Sequence, residues 1–473
     1  MPVTAKSFHV IGAALVALCA CSAPTINWPQ FRGPQATGLS DAPAPITWNV
    51  ETGENIRWQT PIPGLGHACP IIWQDRVYVA TAVAPDGKAQ LRIGLYGDVN
   101  SYSEKKPQQW RLLCLNKATG KILWNKLEWQ NVPRTQRHTK ASHCNSTPAT
   151  DGQHIAALFG SEGLFCFDMN GKQLWHKDLG KMDAGWYTMA NTPWGFGSSP
   201  VIHKRSVIVQ CDVVSEQYLA AFGIEDGREL WRTKRGDVPT WSTPLVVSFS
   251  PSTPSAASSS ASTSSSAADF PTQIVVNGMK HIGGYDFTTG KELWRLKEGG
   301  DVPVASPVAA GETVILTSAH GRYRPFRAVR MDSTGDISPP DINTTNHSVV
   351  WCHPRRGDYL STPIVVGDLV WGDLDGIVTC FDAKTGQVYY NERIGGGGEG
   401  FTTSPVAANG KLYYTGEQGH VFVVAATKEF KVLAQNKLGG ICLSTPAISD
   451  GTIFFRTTEK LIAVGVKAMT PTK

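Results

Sequence analysis

The chain has 473 residues, 41 % of them hydrophobic, which is enough for large cores and by length alone would suggest about three domains. Its 44 Lys and Arg against 39 Asp and Glu leave a formal charge of +5. The basic residues are scattered and form no stripe, which argues against nucleic acid as a partner.

Residues 1–20 read as an export leader. Lys6 gives a positive start, Val10 to Leu18 is apolar, and Leu18-Cys19-Ala20-Cys21 follows. The apolar run is too short to span a membrane. Leu-x-Ala-Cys resembles the bacterial lipobox, and this implies acylation of Cys21 and a protein held at the membrane by lipid alone. An ordinary cleavage near Ala23 is the alternative. Residues 21–47 then form a tether and lead-in, 48–466 the folded repeats, and 467–473 a tail.

Two signals recur through the folded part. The first is a Gly turn followed by a short run that ends in an aromatic: GENIRW (53–58), GKILW (120–124), GKQLW (171–175), GRELW (227–231), GKELW (290–294) and GQVYY (386–390), with a Gly-less SVVW at 348–351. The second is a small residue before Pro and an apolar strand, at Pro70, Pro148, Pro200, Pro244, Pro307, Pro363, Pro405 and Pro446. Between successive Pro signals the chain reads as four short strands with Gly in the turns. Pro is tolerated at the first residue of a strand because no interior ladder bond is lost there. Four-stranded antiparallel units repeated in this way predict an all-β, eight-bladed β-propeller.

The ends of the chain close the ring. After Pro446 only PAISD, TIFFRT and KLIAVG remain, whereas ENIRWQ stands alone before Pro70. The N-terminal strand is therefore expected to supply the outer strand of the last blade, removing an open edge. The terminal aromatics are expected in the seams between blades. Cys114, Cys166 and Cys380 occupy one equivalent place in LLCLN, LFCFD and VTCFD, so they should lie far apart as small buried hydrophobes.

NKATGKILW, DFTTGKELW and DAKTGQVYY resemble the tryptophan-docking repeat of pyrroloquinoline-quinone-like β-propellers, and the resemblance covers about residues 28–466. The superfamily includes quinoprotein alcohol dehydrogenases and outer-membrane assembly lipoproteins of the BamB type. The resemblance implies either a non-catalytic interaction scaffold for envelope proteins, working as a monomer, or an oxidoreductase holding pyrroloquinoline quinone with calcium. Such dehydrogenases use a carboxylate and an amide on the calcium, an Asp base and adjacent cysteines; beyond Cys21 this sequence has no Cys-Cys pair.

Loops leading into the inner strands carry the candidate residues for a site at the mouth of the central channel: His67, His143, Asn145, Trp194, Trp241, Tyr359 and Phe401. Other motifs fail on context. GGGGEG (395–400) meets a strand where a phosphate-binding helix should begin, so it reads as a blade-to-blade loop. His138, His143 and Cys144 lack a completing zinc spacing. Insertions at 84–109, 250–269 and 320–347 interrupt blades one, four and five, the second being Ser- and Ala-rich and read as a disordered loop.

Overall fold

The computed structural model describes Met1 and residues 25–466, apart from 88, 95–99, 190–191, 249–270, 322 and 342. The leader, Cys21, the Ser-rich insertion and the tail lie outside the described residues. Among those described, the strands form eight sheets of four or five strands and one short two-stranded ribbon. The helical content is two 3₁₀ turns, at Pro34–Ala36 and Gly160–Glu162.

Each sheet is one blade of a propeller. Blade 1 spans 71–131, blade 2 149–177, blade 3 201–234, blade 4 245–297, blade 5 308–353, blade 6 364–393, blade 7 406–437 and blade 8 447–464. Every inner strand begins at the residue after one of the eight Pro signals. Blade 8 is completed by Ile56–Pro61, which pairs antiparallel with Lys460–Val464, Trp58 opposite Ala463. The ring is thus closed by the first strand of the repeat region.

The aromatic-ending phrase has a packing cause. Trp58, Trp124, Trp175, Trp231 and Trp351 each lie over a Gly of the next blade, at Gly120, Gly171, Gly227, Gly290 and Gly386, where a Cβ would stand 2.4–2.9 Å from the ring. All five glycines have positive φ. Four of the indoles donate Nε1–H to the same turn: Trp58 to the Lys117 carbonyl, Trp175 to Ile224, Trp231 to Phe287 and Trp351 to Ala383, at 2.7–3.2 Å. Opposite the aromatic, the neighbouring strand bulges and carries a small residue: Cys114, Cys166, Ala221, Gly284, Ala328 or Cys380. The three equivalent cysteines are buried and unbridged, and this is the space they fill.

The residue before each Pro also has a job. The Cys69 N–H donates to Thr147 Oγ1, Thr147 to Ser199, Ser199 to Thr243, Thr243 to Ser306, Ser306 to Thr362, Thr362 to Ser404 and Ser404 to Thr445, all at 2.9–3.1 Å. The Thr445 backbone in turn hydrogen-bonds Cys69, completing a belt around the channel. Each hydroxyl satisfies a buried N–H that no ladder reaches.

The lead-in closes one end of the channel. Trp28 pairs with Ile72 of blade 1, the Thr150 N–H of blade 2 donates to the Pro29 carbonyl, and Leu39–Ser40 adds a parallel strand to blade 7. Between them Arg32, 1 % exposed, donates to the carbonyls of Ala36, Thr37, Thr362, Pro363 and Pro405. The later part of the 320–347 insertion adds Gly335–Asp336 as a parallel strand to the outer edge of blade 4, whereas His320 forms an isolated bridge with Asp301.

Candidate functional site

The loops that precede the belt, together with the turns between second and third strands, form the channel mouth. The described parts of insertion 84–109 lie across it. Ser101–Tyr102 pairs with Arg137–His138, Glu104 bridges Arg137 at 2.6 Å, and the Gly94 N–H donates to Glu417 of blade 7 at 3.1 Å. Glu417 is 1 % exposed and also holds Lys140 at 2.6 Å. A strap rooted in blade 1 therefore reaches blade 7.

The seven sequence candidates divide into three groups. His67, His143 and Asn145 lie under the strap. His67 Nε2 meets the Lys140 carbonyl at 3.0 Å. Burial, reinforced by the charge of Arg456, pushes its imidazole down to about 3, so it stays neutral. His143 Nε2 meets Glu104 at 2.8 Å. Burial alone would raise Glu104, but His143 and Arg137 outweigh it and hold the carboxyl at about 2. Asn145 accepts from the N–H and hydroxyl of Ser142 and donates to the Phe196 carbonyl, a loop-fixing role.

Trp194, Trp241 and Tyr359 belong to a second, aromatic group. Trp194 packs on Trp241 with ring centroids 5.7 Å apart and on Trp186 at 5.8 Å. Trp186 meets His320 edge-on at 5.3 Å, and His320 stacks on Tyr359 at 5.4 Å. Trp186 and His320 are the links that sequence reasoning missed. Neither precedes an inner strand closely, and only their aromatic character on irregular loops marks them.

Phe401 stands apart, between blades 6 and 7, packed on Phe422 at 6.0 Å and lining a cavity of about 210 Å³ with Gly395–Gly398, Glu399 and His420. GGGGEG is the irregular connection from blade 6 to blade 7, with positive φ at Gly395, Gly397 and Gly398. His138 and His143 do not converge. His138 faces Trp194 edge-on at 5.8 Å, whereas His143 is held by Glu104. Among the described residues no three His, Cys, Asp or Glu side chains gather as metal ligands.

A quinone with its calcium would need a flat slot and oxygen donors near the mouth, and the residues present do not fit that group. The mouth aromatics pack on one another. Asp212 and Asp237 are fully spent on Arg235 at 2.9 and 3.3 Å and on neighbouring N–H groups. The buried Asn277 amide bridges the carbonyls of Ala305 and Thr317. Glu104 and Glu417 hold cations of the chain itself.

Eight four-stranded blades with Trp-on-Gly docking define the chain as a PQQ-like β-propeller protein. The family model described as outer membrane protein assembly factor BamB matches it in overlapping stretches, 35–192, 111–392 and 215–467, and the chain belongs to that family. An outer membrane protein assembly factor BamB of Burkholderia pseudomallei is 28 % identical over 159 residues, 33 % of this chain and 39 % of that protein; the match spans well under half the relative's length. Among solved structures, BamB of Moraxella catarrhalis aligns with a TM-score of 0.52 at 13 % identity, over 80 % of this chain and 99 % of that one. Quinohemoprotein alcohol dehydrogenase of Comamonas testosteroni aligns at 0.59 and 11 % identity, over 95 % and 82 %. At such identities these two likenesses speak for the fold alone.

Proposed function

We propose that the protein is an exported, non-catalytic propeller that acts as an interaction scaffold for proteins of the cell envelope. The observation that carries this reading is that the chain fills its own channel. The lead-in occupies one end, the strap and packed aromatics the other, and the remaining apolar surface at the mouth faces outward. Tyr187, Met189 and Val214 are 39 %, 48 % and 52 % exposed, on two loops that Asp183 joins through Ser215. An exposed apolar group rimmed by polar loops suits a protein partner. BamB proteins are by name outer membrane assembly factors, and membership of their family supports an envelope role.

The test is affinity purification from the native envelope with the wild-type chain and with the double variant Tyr187→Asp, Met189→Asp. The expected result is a stable partner recovered by the first and lost by the second. A wild-type chain that recovers no partner, yet gains a quinone spectrum and oxidises alcohols with pyrroloquinoline quinone and calcium, would overturn the reading.

A further inference from the structure

The seam between blades 6 and 7 holds a cavity that the scaffold reading does not use. Its volume of about 210 Å³ is room for about seven water molecules at liquid density and falls short of a drug-sized pocket, so it suits a small molecule. Blade 6 contributes Arg393, at the end of its outer strand (Val388–Arg393), and the Gly395–Gly398 run that follows; blade 7 contributes Gln418 and His420. Groups that line so small a space all lie within reach of one small ligand. The Arg393 guanidinium donates to the Asp375 carbonyl at 2.9 Å and has no carboxylate partner among the described residues. Glu399 is committed to the chain itself. Its Oε2 holds His420 Nδ1 at 3.0 Å and its Oε1 accepts the Gln418 N–H at 3.2 Å. This pairing orients the imidazole and leaves Nε2 for a ligand.

The glycines add donors. Packing explains Gly395, where a Cβ would stand 2.8 Å from the Phe422 ring, and positive φ, 84° and 79°, explains Gly397 and Gly398. Gly396 has neither cause: its φ lies outside the left-handed region, and a Cβ there would meet nothing within 4 Å. The N–H groups of Gly396, Gly397 and Gly398 donate to no group among the described residues. A main chain without side chains and with unspent N–H groups lets a ligand oxygen approach it closely. We propose that this cavity binds a small organic carboxylate, whose oxygens are taken by the Arg393 guanidinium and the N–H groups of Gly396–Gly398, with His420 Nε2 beside them. A carboxylate matches the one uncommitted charge of the lining and the planar fork that carries it. A phosphate dianion would set a second negative charge against Glu399, which stays in the wall. The site depends neither on the mouth nor on a partner bound there.

The test titrates the purified full chain with acetate, succinate and benzoate, each against its neutral amide, and with inorganic phosphate, read by saturation-transfer NMR and by thermal melts. The expected result is that at least one carboxylate binds saturably, about tenfold or more tighter than its amide and than phosphate, and raises the melting temperature. Arg393→Gln should weaken that binding about tenfold or more. Gly396→Ala, which sets a methyl group where the ligand meets the main chain, should weaken it as well. Both positions are exposed, so both variants should melt like the wild type in the absence of ligand. The melts and circular dichroism check this. No carboxylate binding tighter than its amide overturns the proposal, as does phosphate binding tighter than every carboxylate or a carboxylate affinity unchanged in either folded variant.

Discussion

The indole of Trp58, on the strand that closes the ring, lies so close over Gly120 of blade 1 that a Cβ on that glycine would stand 2.5 Å from the ring. Its Nε1–H reaches the Lys117 carbonyl of the same turn at 2.9 Å, and Thr60 donates to the Gly120 carbonyl at 2.7 Å. The turn itself is built by Asn116, whose side chain accepts the N–H groups of Ala118 and Thr119 and leaves Gly120 at φ 72°. Gly120→Ala therefore combines left-handed backbone strain with a forced shift of the indole, a loss of about 2–4 kcal/mol. Denaturant melts of this variant should fall well below those of Gly53→Ala, a positive-φ glycine with open space beside it that carries only the strain.

Ring closure makes the first strand indispensable. Deleting 54–60 removes all but Pro61 of the outer strand of blade 8, Trp58 included, exposes the edge at Lys460–Val464 and opens the seam to blade 1. A deletion of equal size at 256–262, in the Ser-rich stretch, should be close to neutral. Thermal melts of the two proteins compare them directly, and equal stability would contradict closure by this strand.

The belt of hydroxyls predicts a pattern of tolerance. Thr362→Val leaves the buried Ser306 N–H without its acceptor, a cost of about 1–3 kcal/mol. Thr362→Ser keeps the bond and should sit within about 1 kcal/mol of wild type. Cys69, the one thiol in the belt, should accept Ser with little change. Chemical denaturation of the three variants reads the order.

The ring was legible before any coordinates because its determinants are local and repeated. Pro with its preceding small residue, the Asx-T-G turn and the terminal aromatic each act within a few residues, and the periodicity multiplies the signal. The mouth was legible only in part. Trp194, Trp241 and Tyr359 do share one aromatic group, but the links through Trp186 and His320 depend on loop paths no pattern encodes. The strap and the filled channel depend on contacts between residues far apart in sequence, 323 positions for Gly94 and Glu417, 373 for Arg32 and the Pro405 carbonyl. The Trp-on-Gly contact lies between these extremes. Both partners were visible as motifs, and only the fold shows that each Trp serves the next blade.

Cys21 supplies a prediction about address. If the lipobox reading holds, the mature chain begins at Cys21 and carries acyl groups, and intact-mass and peptide mass spectrometry of protein from its native host should find that terminus. Among the described residues no helix is long and apolar enough to cross a membrane, and on the lipobox reading the acylated Cys21 is the anchor. A mature chain that starts elsewhere without acyl groups would remove the anchor and leave the propeller unaffected. Replacing Cys21 by Ser should release the protein from the membrane fraction.

Asp373 makes stability depend on pH. Burial, helped by the nearby Asp375 charge and only partly offset by the Gly376 N–H and Arg393, raises its carboxyl from the ordinary 3.8 to about 8. The folded state then keeps a proton that the unfolded chain releases near pH 4. Below that pH both states are protonated and the group costs nothing; between about 4 and 8 unfolding releases the proton, so stability falls as pH rises; above 8 the folded state must bury the charge and the loss is complete. The size is on the order of a few kcal/mol. Asp373→Asn is neutral at every pH, so it should match wild type at pH 4 and exceed it at pH 8, the gap opening between. Urea melts of both proteins across this range measure it. A constant gap from pH 4 to pH 8 would mean that the Asp373 carboxyl titrates as an ordinary exposed acid.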